Sequence, residues 1–496
     1  MDAPSALVVF LPGIGGSQLA DPRTGSLIWS ARPRDLSLLK HPDRLNINEF
    51  PQLNPVGLIP TRKAFGIWTA IHGYDGALRD LSRDLVLRLD DGNPETEDLD
   101  ATLVAIGYDF RQSITASAEY VGDQIAKRVT HLWPAEHDQR RRVVVVAHSM
   151  GGLVARAWAS QFDEHDTCRG IITLGSPHRG APKALDVWCN GVRLPVIGAH
   201  VPRPFITKPL GVLRDWPGFA DLLPRYRMIE DIRETSTTRN LYPSDDLTAS
   251  VAAHHRLAGL TKAAQEAANR HDDITAGWKN LASQPALTVR MGFGQKTLRS
   301  ATWDGTTMRV SHGKPAIFPD GDGWTAALGD GTVPAFSTIP VDVGNLAPYD
   351  CDVDFTHSRL AALPVAELVR KHLQFGRLDD PVYRGGDGTD LTLDLDSPEV
   401  ALAGTSVQVR ARVQTLSAGP YESSDPGPAS LRWARIDDDR GTPERATAVA
   451  MKLEDGHWVS SLPGLPPGLY EVTCESETLE LDTTRTVEVV DDDDLD

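Results

Sequence analysis

The segment Val143-Val144-Val145-Val146-Ala147-His148-Ser149-Met150-Gly151-Gly152-Leu153-Val154-Ala155-Arg156 constrains this chain more than any other. Four consecutive valines read as a strand buried on both faces. The residues from Gly152 to Phe162 carry a helical pattern. Between strand and helix lies a turn that matches G-x-S-x-G, with Ala147 in place of the first glycine. A serine nucleophile must project from a tight strand-to-helix turn, and small residues two before and two after it let the two elements approach closely. The turn sets Ser149 at a helix N-terminus, with the Met150 backbone N–H aimed where an oxyanion would form. Ser149 is the candidate nucleophile; a plain N-cap serine is the competing reading, since serine suits that position too.

The same kind of strand recurs. Ala6–Leu11, Thr102–Ile106, Gly170–Leu174 and Ala286–Met291 are apolar runs that end at turn residues, and helical patterns lie over Tyr74–Leu89 and Ala116–Leu132. Alternation of buried strands with helices predicts an α/β fold with a mostly parallel sheet covered by helices. Residues 180–284 break this rhythm: prolines, Trp188, Trp216 and Trp278, a helical stretch around Thr261–Asn269, and no clear buried strand. Inserted between sheet strands, this stretch is expected to be a cap or lid over the site.

A serine of this type needs a base, an acid that orients the base, and donors for the oxyanion. Leu11-Pro12-Gly13-Ile14-Gly15-Gly16-Ser17-Gln18-Leu19 follows the first strand and offers backbone N–H groups without bulky side chains. It lacks the Lys-Ser/Thr of a phosphate loop and the G-x-G-x-x-G of a dinucleotide site. The Ile14 N–H is the candidate second oxyanion donor, with a plain turn as the rival reading. For the acid, Gly329-Asp330-Gly331-Thr332-Val333-Pro334 is preferred over Asp322, eight residues earlier. For the base, His357 precedes a final helix over Leu360–Phe375 and satisfies the order Ser…Asp…His. His312 lies before Asp330 and breaks that order; His372, inside the helix, reads as a surface or packing residue; His148 is expected to point elsewhere. The loop Thr173–Gly180 is expected to shape the pocket. His254-His255 and His271-Asp272-Asp273 read as solvated helix faces, because no H-E-x-x-H or comparable spacing accompanies them. No metal and no cofactor are expected.

After Phe375 the pattern changes. Gly385-Gly386-Asp387-Gly388 reads as a linker, and seven short alternating runs follow between Leu391 and Val490. They predict an all-β, immunoglobulin-like sandwich, although no Cys…Trp…Cys hallmark accompanies it. The expected organisation is a catalytic domain over 1–378 with its cap at about 180–284, a β-sandwich over 379–490, and an acidic tail over 491–496. Charge follows the same division: 26 of the 68 acidic residues and 9 of the 50 basic ones lie in 379–496, a net of −17 against −18 for the whole chain. This excludes a nucleic-acid-binding stripe and argues against anionic lipid contact by the acidic part. The sandwich either aids solubility or docks a protein partner, including another copy of the chain.

Four widely spaced cysteines without a C-x-x-C pair argue against a disulfide framework or a zinc ribbon. Met1-Asp2-Ala3-Pro4 lacks the basic start of a signal peptide. No apolar run approaches the ~18 residues of a membrane span. The expected setting is cytoplasmic, with reduced thiols.

Taken together, Pro12-Gly13-x-x-Gly16-Ser17-Gln18-Leu19, Tyr108-Asp109-Phe110-Arg111, Ala147-His148-Ser149-Met150-Gly151-Gly152, Ser176-Pro177-His178-Arg179-Gly180 and Gly329-Asp330-Gly331-Thr332-Val333-Pro334 resemble the lecithin:cholesterol acyltransferase-like branch of the α/β-hydrolase lipases over residues 6–375. The resemblance implies an α/β-hydrolase fold, a lid, no metal, and a Ser149–Asp330–His357 triad with Ile14 and Met150 as oxyanion donors. It implies lipid or phospholipid esters as substrates, with transient contact at a membrane surface, and hydrolysis or acyl transfer as the reaction. Phe110 stands where that branch carries Trp, and no cysteine precedes Cys168, so the disulfide-closed lid of its secreted animal members cannot form. Two other expectations stand beside this one: an effector whose sandwich recruits partners and gates the hydrolase, and a thioesterase or peptidase on the same three residues.

Overall fold

The computed structural model describes residues 5–30, 42–59, 74–191, 196–197, 209–233, 239–245, 257, 259–293, 295–313, 315, 329–343, 351–353, 356–361, 365–375, 391–397, 400–415, 427–435, 447–454, 456–479 and 481–490. The expected linker at Gly385–Gly388, the tail 491–496, Asp322 and His254-His255 lie outside the described residues.

The apolar runs form one sheet of seven strands: β1 (Leu7–Leu11), β2 (Leu89–Asp90), β3 (Leu103–Ala105), β4 (Val143–His148), β5 (Cys168–Leu174), β6 (Ala286–Phe293) and β7 (Cys351–Val353). Their order across the sheet is β7-β6-β5-β4-β1-β3-β2, and every pairing is parallel. Both faces are covered. Leu7, Val9, Leu11, Val143, Val145 and Ala147 point into one apolar core, while Val8, Phe10, Val144 and Val146 point into another. Fully burying a valine side chain contributes roughly 1.5–3 kcal/mol, which is why an unbroken valine run suits a central strand and no exposed one.

Helices α1 (Asp75–Leu85), α2 (Ile114–Leu132), α3 (Met150–Gln161), α4 (Leu260–Asn280) and α5 (Ala366–Phe375) supply the covering layers. Side chains of α2, α3 and α4 fill the first core, and those of α1 and α5 the second. The helix expected over Tyr74–Leu89 stops at Leu85, because Val86 turns left-handed (φ 54°), and Leu89–Asp90 instead pairs with β3. At the other end of the layer, α2 begins two residues before the expected Ala116, capped by the Ser113 hydroxyl accepting the Ala116 N–H.

The cap differs from expectation. Ile229–Asp231 and Arg239–Leu241 are strands, and they share a four-stranded sheet with Ser300–Trp303 and Met308–Ser311. Three-residue strands are too short to show a period, and Ile229–Asp231 takes one of its two partners, Ser300–Trp303, from beyond Gln284. The covering subdomain is therefore assembled from segments on both sides of β6. Helix α4 runs to Asn280, well past Asn269, burying Leu260, Ala264, Ala267, His271, Ile274 and Trp278 in one stripe. A histidine in that stripe hides the apolar period. His271 is buried, with Nε2 2.9 Å from the Asp221 carbonyl, so the expectation of a solvated face holds only for its neighbours Asp272 and Asp273.

The C-terminal strands form two sheets around one core that includes Leu393, Val409, Leu431, Trp458, Val472 and Val487. One sheet, antiparallel throughout, orders Leu391–Asp396, Val407–Thr415, His457–Leu462 and Lys452–Glu454. The other orders Thr447–Ala450, Ser430–Arg435, Gly468–Ser476, Leu481–Val490, Val400–Leu402 and Val196–Ile197. The expected single run Ala446–Leu453 divides at the buried Met451, where the chain crosses from one sheet to the other. Val400–Leu402 pairs in parallel with both neighbours, one of which, Val196–Ile197, comes from the cap. No described helix is long and apolar enough to cross a membrane.

Candidate active site

Ser149 sits where β4 gives way to α3, with φ 51° and ψ −125°. A non-glycine residue in that region costs of order 1–3 kcal/mol and persists only where its surroundings hold it. Here the Ser149 N–H donates to the Leu174 carbonyl at 2.8 Å, and the Ser149 carbonyl accepts the Gly152 N–H at 3.1 Å. Close approach explains the adjacent glycines. A Cβ on Gly151 would lie 2.6 Å from the Pro12 carbonyl oxygen, and one on Gly13 would lie 2.9 Å from Ser149 Cβ. The β1 loop and the elbow are thus pressed together. The Ser149 hydroxyl makes no capping bond to its helix; it lies 2.9 Å from His357 Nε2.

His357 opens a short helix, His357–Leu360, and is buried. Its Nδ1 lies 2.7 Å from Asp330 Oδ2, and its backbone N–H donates to the Asp330 carbonyl at 2.9 Å. The other Asp330 oxygen accepts the Thr332 and Val333 N–H groups at 2.9 and 2.7 Å. A carboxylate accepts only, so His357 Nδ1 carries the proton and Nε2 is left to accept from Ser149. The structure therefore brings together Ser149, His357 and Asp330, which lie far apart in sequence, in one buried line. His312 is exposed on the cap sheet. His372 is buried, with Nε2 2.9 Å from Thr288 Oγ1, an interior packing residue.

The loop carrying Ile14 is held from several sides. The Tyr108 hydroxyl donates to the Pro12 carbonyl at 2.7 Å, the Gly13 N–H donates to the Tyr74 hydroxyl at 2.9 Å, and the Gly16 N–H donates to the Gly13 carbonyl at 3.0 Å. Ile14 lies within this turn, and Met150 is the first residue of α3. Asp109 and Arg111 make a bidentate buried pair at 2.8 and 2.6 Å, and Arg111 Nη1 donates to the Phe50 carbonyl at 3.0 Å. Tyr108 thus braces the loop, while Asp109 and Arg111 tie down the segment around Phe50 and Leu53. Phe110 stands edge-on between Trp29 and Trp216, with ring centroids 5.7 and 5.8 Å away. Against Phe110 and Met150 packs Gly218 of the cap, so closely that a Cβ there would lie 2.4 Å from the Phe110 carbonyl oxygen and 2.9 Å from Met150 Cε. Ser149 is 7% exposed.

The loop after β5 is anchored to the segment behind the acid: Arg179 donates its N–H to the Ser337 carbonyl and its Nε to the Ile339 carbonyl, at 2.9 and 2.8 Å. His178 is buried among Arg156, Arg179, Arg225 and His271, and burial pushes its pKa well below the usual value. Sequence reasoning missed the engagement of Tyr74 and His148 with the site. His148 Nδ1 lies 3.0 Å from the Tyr74 hydroxyl and its Nε2 lies 2.9 Å from the His357 carbonyl. Strand alternation could have set residue 148 on the face of Val144 and Val146, the face Tyr74 also occupies; nothing in the sequence marks Tyr74 itself. Among the described residues, no group of three or more His, Cys, Asp and Glu side chains is placed to hold a metal ion.

The family model described as a PGAP1-like alpha/beta domain matches residues 96–192, which include β4, the elbow and β5. A GPI inositol-deacylase of Debaryomyces hansenii is 31% identical over 138 residues, covering 27% of this chain and 13% of that protein. An uncharacterized protein of Saccharomyces cerevisiae is 24% identical over 308 residues, covering 60% of this chain and 43% of that protein. The chain thus spans less than half the length of either curated relative. Among solved structures, a chain of the Tle4–Tli4 complex covers 75% of this chain at 15% identity and a TM-score of 0.46. The propeptide form of the Bacillus licheniformis lipase BlEst2 covers 97% of it at 10% identity and a TM-score of 0.33. The parallel sheet, the elbow and the PGAP1-like match support an α/β-hydrolase fold.

Proposed function

We propose that this chain is a serine ester hydrolase of lipid esters that works through an acyl-enzyme. The observation that carries this reading is the buried line Ser149 Oγ–His357 Nε2–Asp330, with contacts of 2.9 and 2.7 Å. Ser149 Oγ attacks the ester carbonyl while His357 Nε2 takes its proton. Backbone N–H groups of Ile14 and Met150 receive the oxyanion. Asp330 stabilises the imidazolium and fixes the ring. Collapse of the tetrahedral intermediate breaks the ester C–O bond, and the leaving alcohol departs with the proton from His357. Water then enters, gives its proton to His357, and releases the acid; an acceptor alcohol in its place would give acyl transfer.

Two observations favour a lipid acyl group: the residue after Ser149, Met150, belongs to an apolar cluster that includes Phe110 and Trp216, and a relative is named a deacylase. Reaction with a fluorophosphonate, followed by mass spectrometry, should place the label on Ser149; incubation with total lipid extract should show which ester disappears. An unlabelled Ser149 in folded protein would refute the reading.

A second reading, that the C-terminal sheets regulate this hydrolase, is favoured by their contact with the acid loop. Gln295 Nε2 lies 3.4 Å from Thr483 Oγ1, and a Cβ on Gly331 would lie 3.1 Å from Arg485 Nη1. A partner or second copy bound to residues 379–490 would act through that contact.

A further inference from the structure

His148 and Tyr74 take no part in the steps above, yet they occupy the space between the loop of Ile14 and the base. Both side chains are buried. The His148 ring stands 5.0 Å from the His357 ring and 5.8 Å from the Tyr74 ring, centroid to centroid. Its two nitrogens have fixed roles. Nε2 faces the His357 carbonyl at 2.9 Å, and a carbonyl can only accept, so Nε2 carries a proton. Burial, and next the neighbouring His357, lower the pKa of this ring from 6.5 to about 3, so it is neutral in ordinary buffers and holds one proton only. Nδ1 must then accept, and the hydroxyl 3.0 Å away, that of Tyr74, must donate. The Tyr74 oxygen is left to accept the Gly13 N–H at 2.9 Å. Every direction in the chain is determined: Gly13 N–H to Tyr74, Tyr74 O–H to His148 Nδ1, His148 Nε2–H to the His357 carbonyl.

We propose that Tyr74 and His148 are positioning residues that lock the oxyanion loop and the base to each other, so that the groups receiving the negative charge and the proton are set by one hydrogen-bonded relay. This rests on the serine-hydrolase reading. The relay touches three parts of the site. Gly13 adjoins Ile14; His148 adjoins Ser149; the His357 carbonyl belongs to the residue whose ring takes the proton. The Gly13 N–H is committed to Tyr74 and the Gly16 N–H to the Gly13 carbonyl, while Pro12 has none, so the relay also determines which loop amides remain for the substrate. Neutrality matters as well. When the His357 ring becomes an imidazolium, a second charge on His148 would repel it; a buried ring whose acceptor and donor are both engaged carries none.

The test uses the full chain, p-nitrophenyl butyrate, and the variants Tyr74→Phe, His148→Gln and their combination. Each single variant should lower kcat, by up to roughly 10²-fold as for a small misplacement of reacting groups, with KM unchanged, and should slow fluorophosphonate labelling of Ser149 in parallel. Because the two side chains act as one unit, the combined variant should be little worse than the poorer single one. Wild-type rates in the single variants, or fully additive losses, would overturn the proposal. A separate measurement needs no variant: ¹⁵N NMR of the histidines should show His148 neutral and protonated on Nε2 at pH 6, and a proton on Nδ1 or titration near 6.5 would equally overturn it. If Ser149 of the wild type fails to react with the fluorophosphonate, the serine-hydrolase reading falls, and the NMR measurement still decides whether the relay exists.

Discussion

Gly13 and Ser149 touch across the gap between the first strand's loop and the elbow, so closely that a methyl group on Gly13 would come within 2.9 Å of Ser149 Cβ. Gly13→Ala must push either the loop or the nucleophile out of place. Overpacking of this kind costs about 1–3 kcal/mol. We expect a lower melting temperature together with a loss of kcat larger than the stability change alone would produce, read by thermal denaturation and by p-nitrophenyl ester turnover below the melting temperature.

Ser149 holds a backbone conformation that favours glycine (φ 51°, ψ −125°). Ser149→Gly should therefore abolish turnover while raising stability by about 1 kcal/mol, relieving part of the ~1–3 kcal/mol such strain costs. Chemical denaturation of the two proteins side by side checks this. A less stable glycine variant would show that the elbow is unstrained.

Asp330 gives one oxygen to His357 and the other to two backbone N–H groups. Asp330→Asn keeps the shape but can present an NH₂ to His357 Nδ1, turning the ring to the wrong tautomer. The expected loss in kcat is about 10⁴-fold, the size that this change causes in a serine triad. Unchanged kcat would remove Asp330 from the mechanism.

Stability should fall in acid before the carboxylates of the surface titrate. Burial lowers the pKa of His148 to about 3 and of His372 to about 4, and lowers those of His178 and His271 well below 6.5. Below pH 6.5 the unfolded chain takes up protons at these rings and the folded chain does not. Their contribution is complete above that pH and is lost as the pH falls through the folded-state values. Each ring adds a slope of up to about 1.4 kcal/mol per pH unit. Asp221, raised by burial to about 6, works in the opposite sense between its ordinary value and 6, but it is one group against four. Urea denaturation from pH 7 to pH 4 should show this decline, with a shallower slope in His148→Gln.

Arg485 of the C-terminal domain stands against Gly331, the residue after Asp330. Arg485→Glu should loosen this contact, and hydrogen exchange at the Thr332 and Val333 amides that hold Asp330 should speed up, with kcat falling alongside. Exchange unchanged from wild type would mean that the domain leaves the acid loop alone.

The parts of this molecule that were legible in the sequence are those whose signal is local. The valines before His148 announce a central strand because nothing but full burial suits them, and the small residues around Ser149 announce the elbow because bulk there is impossible. Asp330 and His357 could be chosen by their order along the chain. What stayed hidden depends on contacts made at a distance. The stripe of α4 contains His271, so the helix looked to end eleven residues early. Ile229–Asp231 is a strand because Arg239–Leu241 and Ser300–Trp303 lie on its two sides. Met451 gives no sign that the chain changes sheets there. Tyr74 enters the site because α1 packs on the face shared by Val144 and Val146, and that depends on the whole layer.

Two residues of the covering subdomain, Val196 and Ile197, are stitched by backbone hydrogen bonds to Val400–Leu402 on the edge of the C-terminal sheet. That short strand is therefore fastened to the sheet of the last hundred residues. Any displacement of it must either drag that sheet along or unpick the shared edge, so the two segments are mechanically one unit.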